Sequence, residues 1–142
     1  MANKARKKRI TDAQRRARIQ PILDYWIPRV GLGDWDIKWK LCARLDEDAS
    51  ARGHSPGAYQ TSTIEFSKVE IDKHTTVHEL ELLVLHELCH LVVCNVRMAG
   101  YRLVGTAGYK ELEDAEESVA DALSLILYQL RYASKPTAYY VK

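Results

Sequence analysis

The sequence predicts an α+β domain, and three stretches carry that reading. Residues 35–46 alternate strictly between apolar and polar. A helix-period run opens at Thr76 and contains His86-Glu87-Leu88-Cys89-His90. A second helix-period run follows from Glu111. Strands followed by helices, without βαβ alternation, imply a small antiparallel sheet packed on a central motif helix and a C-terminal helix. A chain of 142 residues fits one such domain. The expected division is a basic N-terminal arm or helix over 1–20, the main domain over 21–132 and a tail over 133–142.

In chain order, Thr11 and Gln14 have the spacing of a capping box, so a helix starts near residue 12. Pro21 fits the first position of a second helical segment holding Ile22, Leu23, Trp26 and Ile27, which Pro28, Gly31 and Gly33 end. Trp35, Ile37, Trp39, Leu41, Ala43 and Leu45 alternate with polar or small residues, the pattern of a half-buried antiparallel strand. Asp46-Glu47-Asp48 and Ser55-Pro56-Gly57 are turn material. Ile64 and Phe66 share a strand register, while Val69 and Ile71 take the opposite one, which asks for a bulge or tight turn at Ser67-Lys68. Thr76 and Glu79 form another capping box, opening a helix over about 77–96 that is apolar on nearly all sides and therefore central. Gly100, Gly105 and Gly108 mark a loop. Leu112, Ala115, Val119, Leu123, Ile126 and Leu130 then form the stripe of a last helix over about 111–131.

Composition excludes several classes. Glu79, Glu81, His86, Glu87 and His90 interrupt the richest apolar run, so no membrane span is expected. The basic N-terminus lacks an apolar core segment, so no secretory signal is read and the cytoplasm is the expected location. Cys42, Cys89 and Cys94 form no C-x-x-C pair and no even set, which excludes a zinc ribbon and implies reduced thiols. Residues 1–20 hold eight basic residues against Asp12, while the remaining residues balance at −5. A basic arm on an acidic body can bind nucleic acid, although no aromatic interleaves it to stack on bases.

The chemistry concentrates at His86-Glu87-Leu88-Cys89-His90. Residues four apart share a helix face, so His86 and His90 can point at one metal ion, and paired imidazoles suit zinc. Glu87 lies about 100° round from His86, flanking that ion, where it can take a proton from water the metal activates. A third protein ligand is needed. A metzincin would place glycine and histidine where this chain has Val93 and Val96, so that class is out. The acidic helix offers Glu117-Ser118-Val119-Ala120-Asp121. There Glu117 can reach the metal, and Asp121, one turn on, can accept a hydrogen bond from a ligand histidine's other ring nitrogen. The apolar stripe conflicts with this choice. If it faces the motif helix, Glu116 or Glu113 becomes the ligand instead.

These residues, Leu85-His86-Glu87-Leu88-Cys89-His90-Leu91 joined to Glu117-x-x-Ala120-Asp121-x-Leu123-Ser124, resemble small gluzincin-type metallopeptidases. They look most like the ImmA/IrrE-like group and related phage or bacterial minimal zincins, with SprT-like proteins as neighbours. The resemblance implies a minimal zincin-like fold, zinc at His86, His90 and Glu117, Glu87 as general base and a peptide or protein substrate. It also implies that the strand near Thr63–Phe66 is the edge strand to which an extended peptide adds. Tyr101, Tyr109, His54 and His78 are the candidates for oxyanion stabilisation. A different class of function would be a non-catalytic zinc-bound scaffold that binds a protein or nucleic acid through the basic arm. A zinc hydrolase acting on a non-peptide amide is the third.

Overall fold

The computed structural model describes residues 10–45, 51–54, 60–104 and 108–133. It is an α+β arrangement of four helices and a three-stranded sheet. Helix α1 spans Asp12–Trp26. Strands β1, β2 and β3 span Asp36–Cys42, Ala51–His54 and Thr61–Ser67. Helices α2, α3 and α4 then span Lys68–Lys73, Val77–Val104 and Tyr109–Ala133.

The Thr11–Gln14 capping box forms: the Gln14 amide donates to Thr11 Oγ1 over 3.2 Å, and the Thr11 amide donates to Gln14 Oε1 over 2.9 Å. Pro21 does not start a second segment; it lies inside α1. Proline forfeits one helical hydrogen bond there, but Ile19, Ile22, Leu23 and Trp26 dock into the core on both sides of it and hold the helix together. Because Ile19 is a core residue, α1 runs straight through the expected boundary at residue 20.

The sheet is mixed rather than antiparallel. β3 is central, parallel to β1 with Trp39 opposite Ile64 and Leu41 opposite Phe66, and antiparallel to β2. Alternation reports that one face of a strand is buried and is silent on the direction of its neighbour. β1 is an edge strand with Ile37, Trp39 and Leu41 half-buried, which satisfies the same pattern in a parallel pairing. The expected edge strand near Thr63–Phe66 is therefore the middle strand, and the edge beside it is β2. The register change at Ser67 is neither bulge nor tight turn. It is the start of α2, with Ser67 Oγ accepting from the Glu70 amide over 3.3 Å. Both acidic and glycine turns expected around β2, at 46–48 and 55–57, lie outside the described residues.

Helix α3 runs through the core. Leu80, Val84, Leu85, Leu88, Cys89 and Leu91 are buried against Ile64 and Phe66 of the sheet, α1, and Ala120 of α4. It is longer than the expected helix, continuing through Gly100, where the Leu112 side chain leaves no room for a β-carbon. Val77–Leu103 is long and apolar enough to cross a membrane, contrary to the expectation from its charged residues, although the central helix of a folded core meets the same measure.

At its start, the Glu79 amide donates to Thr76 Oγ1 over 3.2 Å and the Thr76 amide donates to Glu79 over 3.1 Å. The bond from the Thr76 backbone holds the Glu79 carboxyl below its ordinary range. A lowered carboxyl stabilises the fold above its unfolded pKa, and that contribution is lost as pH falls through the lower folded value. Glu79→Gln should therefore flatten the acid arm of the stability curve between about pH 5 and pH 3, read by urea titration at each pH.

The stripe on α4 meets the other correction. Leu123 packs on the core, but Val119, Ile126 and Leu130 are 45, 52 and 65% exposed, and the face turned to α3 buries Glu116, Ala120 and Ser124. Polar residues can face a central helix here because that helix presents His86, His90 and Arg97 to receive them. Tyr132, near the end of α4, hydrogen-bonds Glu81.

Candidate metal centre

α3 and α4 bring the centre together. Glu81 of α3 pairs with Arg131, His86 with Asp121, His90 with Glu116, and Arg97 with Glu116, so the two helices run antiparallel. His86 and His90, one turn apart, place their Nε2 atoms 2.9 Å from each other. Glu117 closes the triangle, with one carboxylate oxygen 3.4 Å from His86 Nε2 and the other 3.5 Å from His90 Nε2. One ligand atom from each of the three lies within 4.8 Å of the others. Tetrahedral ligands about 2.0–2.1 Å from zinc stand about 3.3 Å apart, so the three separations fit a common ion with small adjustments. Two nitrogens and one carboxylate are also a donor set that suits zinc.

The far nitrogen of each imidazole is held by an acid. His86 Nδ1 lies 3.0 Å from Asp121 Oδ1, the role expected for that aspartate. His90 Nδ1 lies 2.9 Å from Glu116 Oε1. With Nδ1–H donating to a carboxylate, each ring presents a lone pair on Nε2 to the centre of the triangle. Glu116 is thus the acceptor for His90 rather than a member of the triangle, and Glu113 is not part of it. The signal for Glu116 was in the spacing. Two ligands four apart on one helix need two acceptors of similar spacing on an antiparallel neighbour, and Glu116 and Asp121 are five apart.

Arg97, seven residues after His90 and on the same face of α3, was not anticipated. Its Nη1 donates to both Glu116 oxygens, at 3.0 and 3.3 Å. Burial grades across the centre. The Glu116 side chain is 7% exposed and that of His90 14%, whereas those of Glu117 and Asp121 are 62 and 75% exposed. The triangle therefore opens to solvent on its α4 side. Glu87, next to His86, is buried at 6%.

Of the oxyanion candidates, His78 Nδ1 is 2.6 Å from the Tyr128 hydroxyl and the Tyr101 and Tyr109 rings stack edge-on at 4.8 Å. The side chain of His54 lies outside the described residues. Three of the eight basic residues of the N-terminal stretch are engaged with the body of the protein. Arg15 is buried and pairs with Asp72 and Asp12, Arg16 stacks over Trp39, and Arg18 donates to the His74 carbonyl. Lys4, Arg6, Lys7, Lys8 and Arg9 lie outside the described residues. Burial pushes the Cys89 thiol up to about 11, which makes it a protonated core residue at neutral pH.

No protein-family model, curated protein or solved structure matches this chain.

Proposed function

We propose that the protein is a zinc-dependent peptidase, with the metal held by His86, His90 and Glu117. The observation that carries the reading is the convergence of three ligand atoms from α3 and α4, with Asp121 on the far nitrogen of His86. Three protein ligands and a solvent-facing side are the pattern of a catalytic rather than a structural zinc centre. Zinc bound there would supply Lewis acidity, enough to bring the pKa of water towards about 7 and to polarise a carbonyl.

The chain's own residues do the rest. Glu87 takes the proton from the attacking water and passes it to the leaving amine. Asp121 and Glu116 keep the two imidazoles in the tautomer that leaves Nε2 free. The backbone of β3 is occupied on both sides by β1 and β2, so β2, which packs beside α3, is the edge an extended peptide would join. A main-chain ladder of that kind favours unfolded or extended substrates over folded ones.

The test is cleavage of an unfolded protein such as reduced casein. Chelation of the purified protein should abolish cleavage, and one equivalent of zinc should restore it. Cleavage that survives chelation, with metal content verified as zero, sinks the proposal.

A further inference from the structure

We infer that Arg97 is a positioning residue for the metal centre, acting through Glu116 on His90; the inference rests on the reading that His86, His90 and Glu117 hold zinc. Glu116 and Glu117 are neighbours on one turn of α4, and both reach towards the α3 histidines. Nothing in their chemistry gives them different tasks, since either carboxylate can ligate zinc or accept from an imidazole.

Their partners separate them. Both Glu116 oxygens lie against Arg97 Nη1, and Oε1 also meets His90 Nδ1. Among the described residues, Glu117 faces the inner nitrogens of the two rings, and it is 62% exposed. Arg97 thus ties Glu116 down on the outer side of His90 and leaves Glu117 as the carboxylate at the triangle. The charge bookkeeping supports the same division. Glu116, Glu117 and Asp121 are three acids around two imidazoles, and a divalent ion neutralises two of them; the Arg97 guanidinium balances the third, which is also the most buried.

A second observation points the same way. Arg97 Nε is buried with no hydrogen-bond partner among the described residues. Buried donors are almost always paired, and here the pairing that holds the guanidinium is the one Nη1 makes with Glu116. An arginine serving only to join two helices would be expected to use its Nε. The contact is also made by a single nitrogen, so a lysine ammonium can reproduce it where a paired guanidinium fork could not be replaced.

The experiment is zinc affinity measured by competition with a chromophoric chelator, on wild type, R97M, R97K, E116Q and R97M/E116Q, each checked for folding by circular dichroism. Cobalt-substituted spectra of the same set report the ligand field at the metal. R97M should bind zinc about 10–100-fold more weakly, the range typical for loss of a group that supports a metal ligand, with a shifted cobalt spectrum. R97K should keep most of the affinity. Because Arg97 acts through Glu116, adding R97M to E116Q should cost little beyond E116Q alone. Wild-type affinity in R97M, or losses that simply add in the double variant, would overturn the inference while leaving the zinc centre intact. A wild-type protein that binds no zinc would instead overturn the function proposed above, and this inference with it.

Discussion

Glu87→Gln is expected to slow peptide cleavage by about 10²–10⁴-fold, the range over which a positioned general base contributes, with zinc content unchanged. The substitution keeps the size and shape of a side chain that is 6% exposed, so the fold should tolerate it. What it removes is the only property the mechanism asks of this residue, a carboxylate able to accept a proton. Glu87 shares α3 with both histidines but is not one of the three groups that meet at the triangle. Loss of metal and loss of base are therefore separable at this position. A variant that retains zinc and cleaves at the wild-type rate would contradict the assignment of Glu87. A variant that loses zinc would make Glu87 a ligand or an essential support of one.

The second large effect is on stability. Glu81→Ala should lower the unfolding free energy by about 3–5 kcal/mol, read from urea denaturation midpoints. Glu81 is 1% exposed and sits near the start of α3. It accepts from Trp26 Nε1 of α1 over 2.7 Å, from the Tyr132 hydroxyl of α4 over 2.7 Å, and from Arg131, also of α4. Arg131 in turn lies 3.7 Å above the Tyr25 ring, so one carboxylate gathers three helices. Removing it strands two neutral donors and a guanidinium that is 26% exposed, which is why the cost exceeds that of an ordinary surface ion pair. Ordinary domains hold only about 5–15 kcal/mol, so this loss is a large share of the whole.

The same variant has a spectroscopic signature. Burial and the bond to Glu81 push the Tyr132 hydroxyl up to about 12. A raised pKa contributes stability that is present below the unfolded value, near 10, and is lost as pH rises through the folded one. Tyr132 should titrate late in the wild type and earlier in Glu81→Ala. A midpoint shift below 1 kcal/mol would mean that the cluster is a surface contact and not a clamp.

Much of this arrangement is legible in the residues alone. Both capping boxes, at Thr11 and Thr76, form as their spacing implies, and the alternation from Trp35 marks a half-buried strand. His86 and His90 do converge, and Asp121 does take the outer nitrogen of His86. Local periodicity and i, i+4 geometry decide those features, and both are written into short windows.

What fails to read is what depends on partners distant in sequence. The direction of β1 against β3 leaves no mark on either strand's own pattern. β2 is four residues long, too short to announce itself in the sequence. Pro21 looks like a helix start because the packing that holds α1 together on both sides of it is invisible locally. On α4 the apolar stripe at Val119, Ile126 and Leu130 suggested the buried face, yet the helix turns Glu116, Ala120 and Ser124 to α3. Polar pairing overrides hydrophobicity there, and the partners, His90 and Arg97, are 26 and 19 residues away along the chain.

The proposed function requires that His86, His90 and Glu117 hold one zinc ion. Its most direct test is the metal content of protein purified without chelator, measured by elemental mass spectrometry on wild type and on Glu117→Ala. One zinc per chain is expected in the wild type and a weakly held, substoichiometric metal in the variant. Folded wild-type protein that carries no zinc, and takes none up on addition, would contradict it.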